Sequence, residues 1–363
     1  MKKSKFKLFA ALLLAAAMTV LSLSGAVPVL ADETAAILAN AAKSPAVHTA
    51  PEGYDQNDFN KVRTFLEQTD SNGIRNGEKL NPDGYDPDDP ESWGALFVDE
   101  WGFEHEAYFD WEEVDGINRM FAINLTYIKD FAGTFDMSGL DALSTLDVDG
   151  GNFTTADLSN CYEMTHCYFA NSTLSSVNFF NCANVTELYL QDNELTEVLN
   201  LGDCTSLLFL DILMNNDLEE IDLSGCERII EHLDFSQTKV SDINETEMFA
   251  LCEFGCESSG ITELDLRNCN YLNYVNCNFC DMDFLYLPEL PNNLAVNCME
   301  TGLTELNYEN CGGIYDLSIS GNPGLTGKLN LASNPYLMNV SADNCGFTEI
   351  DAAGCEALEG LDI

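Results

Sequence analysis

The chain has 363 residues, 46% of them hydrophobic and 21% charged, with a formal net charge of −46. That composition suffices for a large core and excludes an intrinsically disordered chain. The acidity excludes nucleic acid and anionic membrane as partners, since like charges repel at long range, and it favours cationic partners or a solvated outer face.

In chain order, the first residues, MKKSKFK, are basic, and an apolar run follows from Leu8 to about Leu23. Val29-Leu30-Ala31 then fits the small-residue rule for cleavage, Ser24-Gly25-Ala26 is a second such site, and an uncleaved membrane anchor is the alternative reading. Residues 1–31 therefore read as a signal peptide and the Ala-rich residues 32–52 as a linker. The mature chain has no later apolar run of about 20 residues, so no membrane span is expected in it. Fourteen cysteines in an exported chain would ordinarily pair as disulfides, an inference that their placement opposes.

Residues 53–115 form an N-terminal region. The stretch DFNKVRTFLEQ carries Phe59, Val62, Phe65 and Leu66 at helical spacing. NPDGYDPDDPESWG is rich in turn residues, and Trp93, Trp101 and Trp111 all precede residue 115. The repeats that follow would leave the core of their first coil open, and solenoids need terminal caps. A short helix with an aromatic-rich turn region would supply one; a carbohydrate-binding aromatic platform is the alternative reading of the tryptophans. Asp83, Asp86, Asp88 and Asp89 lack the spacing and bidentate Glu of an EF-hand and read as turn residues rather than calcium ligands.

Residues 116–363 repeat. Cysteines at 161, 182, 204, 226, 269, 311 and 355 are separated by 21, 22, 22, 43, 42 and 44 residues, the last three being double periods with Met248, Leu290 and Asn334 at the skipped slots. A fixed period in this range signals a solenoid, here of about ten to eleven coils. Each unit holds two copies of one half-pattern: apolar, two variable, apolar, one variable, apolar, two variable, then Cys or Asn. Val185, Leu188, Leu190 and Asn193 are one instance. Leu188 and Leu190 fall on one face of a strand, and one strand per coil stacked at about 4.8 Å gives a parallel sheet. The final slot has a physical task. The backbone turns inward there and its N–H and C=O groups need partners; Asn supplies both a donor and an acceptor. Gly151, Ser172, Asn193, Asn215 and Thr238 begin this column in the second half-pattern, whereas Cys dominates the first. A buried free Cys behaves as a small hydrophobe with a weak donor, so Cys269 reads as one brick in a stacked column. Cys277 and Cys280 form the lone C-x2-C, a strand position plus a ladder slot, and are not expected to converge on zinc or redox chemistry. Cys256, Cys277 and Cys298 share one inward position, but parallel neighbours in register fit disulfide geometry poorly.

LTELDLRNC, LEEIDLSGC and VTELYLQDN resemble the Cys-rich leucine-rich repeats of exported proteins from Firmicutes-type bacteria, broadly internalin-like in coil length. The resemblance covers about 230 residues. It implies an α/β-type solenoid, mostly β and irregular: a right-handed leucine-rich-repeat superhelix with a parallel sheet on one face and a small N-terminal helical and aromatic cap. It implies an extracellular protein, free or associated with the cell wall, of a family in which several members are adhesins or recognition proteins. The family has no shared catalytic residues, and the slot here often holds Cys or Thr in place of the internalin Asn.

No nucleophile elbow, HExxH, P-loop or Rossmann fingerprint is present, and no cofactor or metal is expected. Solenoids bind through the outward residues of their stacked strands. Across the coils that set includes His166, Tyr168, Tyr189, Phe209, Asp211, Leu213, His232, Asp234 and Tyr274. Aromatic residues are enriched at binding hot spots, so this face is the expected contact with a protein or carbohydrate ligand on a host or bacterial surface. On the structural reading, the same residues are β-favouring side chains on a solvated strand face. The chain stops inside a repeat, at Leu361-Asp362-Ile363, so the other function class is a non-catalytic scaffold of a larger surface protein whose activity lies further downstream.

Overall fold

A computed structural model describes residues 48–98, 104–126, 130–289, 293–308 and 311–363. The predicted signal peptide and most of the 32–52 linker lie outside the described residues, as do Trp101 and Leu290.

The chain folds as a β-solenoid. A fourteen-stranded sheet begins with β1 (Ala95–Val98), β2 (Glu104–Val114) and β3 (Ile117–Asn124). After that every coil adds one parallel strand, from Thr145–Gly151 and His166–Ser172 through to Gly360–Asp362. Alternation within each strand fixes which face is buried. Leu188 and Leu190 are fully buried, while Glu187 and Tyr189 between and beside them are half-exposed. A one-residue slip would turn every leucine to solvent, so the pattern fixes the register.

The sequence predicts one strand per coil; the structure has two β faces. The first half-pattern also goes extended and stacks into short parallel ladders opposite the main sheet, such as Glu263–Asp265 with Phe284–Tyr286 and Glu305–Leu306. The physical reason is that both halves carry the same leucine alternation. The second face is interrupted, falling into four separate ladders of two or three strands. Many of them end in an Asp whose Oδ1 accepts the N–H two residues on: Asp157 from Ser159 at 3.0 Å, Asp222 from Ser224 at 3.0 Å and Asp351 from Ala353 at 3.1 Å. These Asx turns steer the chain out of the strand and account for part of the acidic surplus.

The ladder slots hold the coils together. Asn215, fully buried, donates from Nδ2 to Leu190 O at 3.0 Å in the preceding coil and to Ile212 O at 2.8 Å in its own, and its Oδ1 accepts from Leu195 N at 3.2 Å. Asn193 and Asn322 repeat this arrangement. Thiols do part of the same work: Cys280 Sγ donates to Cys256 O at 2.9 Å, and in the other column Cys182 Sγ donates to Leu158 O at 3.1 Å. All fourteen cysteines are free, and most are buried. Just before the slot the backbone enters the left-handed region in coil after coil: Asp192 at φ 54°, Met214 at 62°, Gln237 at 57°, Ser258 at 56° and Phe279 at 59°. That turn is the means by which the chain leaves the main sheet.

At the N-terminal end, α1 (Gln56–Leu66) is capped by Asp55, whose side chain accepts from the N–H groups of Asn57 and Asp58. Its apolar stripe of Phe59, Val62, Phe65 and Leu66 is buried. Phe65 packs on Phe131, Phe135 and Phe153 with ring centroids 5.4–5.9 Å apart, which closes the core of the first coil. The buried Asp58 accepts from Arg119 Nε at 2.8 Å and Met120 N at 3.0 Å and so fixes α1 to β3. A second helix, α2 (Asn76–Leu80), follows. The sequence predicts helix and turns here; the structure adds the β2–β3 hairpin, whose turn places Asp115 and Gly116 at φ 54° and 83°, the geometry Asp-Gly supplies. Trp93 is fully buried, its Nε1 donating to Asp86 O at 2.9 Å, and Trp111 packs on it and on Tyr54. Trp93 therefore forms core rather than a sugar platform. Asp86 and Asp89 make Asx turns and Asp88 pairs with Arg63.

Candidate functional site

The main sheet presents two outward rows. One row runs His166, Glu187, Phe209, His232, Glu253, Tyr274 and the other runs Asp147, Tyr168, Tyr189, Asp211, Asp234, Gly255, each residue directly beside the next through parallel pairing. Stacking at about 4.8 Å puts successive side chains within ring-contact distance. Four rings form a continuous ribbon that steps from the second row to the first. Tyr168 and Tyr189 lie 5.9 Å apart, Tyr189 and Phe209 4.8 Å, and Phe209 and His232 stack at 3.9 Å with planes 4° apart. The residue beside each ring in its strand, Cys167, Leu188, Leu210 or Leu233, is buried in the core and anchors that strand.

Carboxylates border the ribbon. Asp211 Oδ1 accepts from Leu213 N at 3.2 Å and Asp234 Oδ1 from Ser236 N at 2.8 Å. Burial pushes the Asp211 carboxyl above the ordinary carboxylate value and the neighbouring Asp234 adds to the rise, while the Leu213 N–H and His232 oppose it. Burial raises Asp147 as well, with His166 opposing. Glu187 pairs with His166, Oε1 to Nε2 at 3.2 Å, and Glu253 with His232, Oε2 to Nδ1 at 2.9 Å. The Tyr189 phenol is raised by burial and by Glu187.

The structure brings His166, Tyr168, Tyr189, Phe209, Asp211, His232 and Asp234 into one patch. Leu213 sits at its edge, half-buried past the strand end, with its carbonyl accepting from Asp192 N at 3.0 Å. Tyr274 stands apart, beyond Glu253, with its hydroxyl accepting from Asn297 at 3.5 Å. Sequence reasoning missed two residues here. Asp147 lies one coil before Tyr168 and places a carboxylate at the opposite end of the ribbon from Asp234. Gly255 is the rung after Asp234, and a Cβ there would lie 2.5 Å from the Asp234 carboxyl carbon, so its lack of a side chain gives that carboxylate its place. A repeat-by-repeat alignment of the outward positions carries both signals.

A second aromatic group lies on the opposite β face. Phe284 and Tyr286 stack at 4.9 Å, the Arg267 guanidinium sits 5.0 Å from the Tyr286 ring centre, and Arg267 pairs with Asp265 at 2.5 Å. Among the described residues no group of His, Cys, Asp and Glu is placed to hold a metal ion, and no helix is long and apolar enough to cross a membrane.

No family model matches the chain, and no curated protein matches it. Solved structures similar to it include the functional domain of InlJ from Listeria monocytogenes, which includes a cysteine ladder, at 18% identity and TM-score 0.38 over 67% of each chain. An internalin, InlF, from Listeria monocytogenes is similar at 15% identity and TM-score 0.43, over 67% of this chain and 86% of that one. YopM from Yersinia enterocolitica is similar at 18% identity and TM-score 0.41, over 67% of this chain and 64% of that one. Scores this low leave function to rest on the geometry of the chain itself.

Proposed function

We propose that this leucine-rich-repeat solenoid is a non-catalytic recognition module, exported and displayed outside the cell, that binds a protein partner through the outward face of its main sheet. The observation that carries the reading is the ribbon Tyr168–Tyr189–Phe209–His232, four rings in unbroken contact on an otherwise polar face. Rings on a rigid sheet lose little conformational entropy on binding and supply large contact area. Isolated solvated side chains would need no such contiguity. The ring ribbon, flanked by carboxylates, gives a partner an orientation as well as an area.

The test combines Asp211→Lys with Tyr189→Ala in the full chain and screens it beside wild type on arrays of purified surface proteins and glycans, with circular dichroism as the fold check. The double variant is expected to lose a protein partner while keeping its spectrum. A partner bound equally by both, or a ligand found only among glycans, removes the reading.

A further inference from the structure

The chain repeatedly joins an aromatic ring, a carboxylate and an arginine. Arg75 lies over Tyr85 at 5.2 Å and pairs with Glu78; Arg228 lies over Phe249 at 5.8 Å and pairs with Glu247; Arg267 lies over Tyr286 and pairs with Asp265. The guanidinium suits both partners at once, since its plane stacks on the ring while its edge donates to the acid. The ribbon on the main face supplies the same rings and the same acids. Neither outward row, from Thr145 to Asp362, contains a lysine or arginine. Every described lysine and arginine, from Lys61 to Lys328, already has an acidic partner elsewhere, none of them in these rows.

We infer that the partner completes the missing third element: an arginine-bearing peptide segment lies along the main sheet, its guanidinium groups packed against Tyr189 and the flank of Phe209 that His232 leaves open, and paired with Asp211 and Asp234. This rests on the reading of the main sheet as the binding face. The half-buried state of Asp211 and Asp147 supports it, because a partner's cation would relieve carboxylates that burial now destabilises. The arrangement also predicts arginine over lysine, because an ammonium group has no plane to lay on a ring and no fork to match a carboxylate.

The test uses the full chain with hexa-arginine, hexa-lysine and hexa-citrulline peptides, the last being the neutral near-isostere of the first. Three double variants are compared with wild type by titration calorimetry at fixed ionic strength. Tyr189→Leu with Phe209→Leu removes the rings and no charge. Asp211→Asn with Asp234→Asn removes two charges and keeps the oxygens that make the turns. Glu219→Gln with Glu220→Gln removes two charges from exposed positions on the opposite face. Hexa-arginine is expected to bind more tightly than hexa-lysine, hexa-citrulline not to bind, and the first two variants each to lose at least about tenfold, against less than twofold for the third. Equal losses in the two charge variants would mean diffuse attraction to an acidic chain and would overturn the inference, as would full affinity in the ring variant. If hexa-arginine binding ignores the patch while Asp211→Lys with Tyr189→Ala still abolishes a protein partner, the binding face stands and the arginine partner falls.

Discussion

Replacing Asn215 with alanine tests whether the ladder amides hold the coils together. The side chain makes three bonds, yet only two backbone groups would lose their partner. Leu190 O would keep the Asn193 amide, which donates to it at 2.9 Å, whereas Ile212 O and Leu195 N would be left buried and unpaired. At about 1–3 kcal/mol for each orphaned buried group, the expected loss is about 2–6 kcal/mol. Because Asn193 and Asn215 share Leu190 O, the variant with both residues changed should lose more than the sum of the two single variants, by about 1–3 kcal/mol. Urea denaturation followed by far-ultraviolet circular dichroism measures the totals, and hydrogen exchange at Leu195 reads the orphaned amide directly, with an expected acceleration of at least about tenfold. The exposed neighbour Asn216 is the control; its alanine variant should fall within about 0.5 kcal/mol of wild type. Asn215→Ala indistinguishable from Asn216→Ala, or strict additivity with Asn193→Ala, would refute the reasoning.

Two further outcomes are expected. Met214 sits at φ 62°, where a non-glycine side chain is strained by about 1 kcal/mol, so Met214→Gly should raise the denaturation midpoint and the β-branched Met214→Val should lower it; the opposite order would show that the left-handed turn is not under strain. Native thiol titration with a disulfide reagent at pH 8 should reach only the partly exposed Cys252, Cys345 and Cys355, because the other eleven are packed out of the reagent's reach, and all fourteen should react in urea; rapid native reaction of the buried cysteines would sink the coil packing.

Much of this architecture is legible in the residues alone, for a reason peculiar to repeats. One coil's leucine alternation is weak evidence, but the same alternation at 161, 182, 204 and 226 averages away the accidents of any single unit. The inward column and its polar slot follow. The second β face is harder to foresee because a leucine pair flanking an aspartate fits a strand and an irregular segment equally well; what decides is pairing with the neighbouring coil, a contact that exists only in the folded chain. The β2–β3 hairpin is signalled by Asp115-Gly116 between alternating segments, but the nearby tryptophans draw the eye toward a turn-rich cap. At the patch, strand parity identifies the outward residues. It cannot show that Tyr189 meets Phe209 diagonally, since that contact depends on ring rotamers and on the twist between neighbouring strands.

The backward reach of the ladder amides gives the molecule a polarity that its near-identical coils conceal. Asn215 serves carbonyls and an amide belonging to the chain before it, and Asn322 does the same for Cys298 and Leu303. A protease cut between two coils would therefore leave unequal wounds. The upstream fragment would end in main-chain groups stripped of their side-chain clasp, while the downstream fragment would begin with amides that can turn to water, so of two fragments of equal length the downstream one should survive longer.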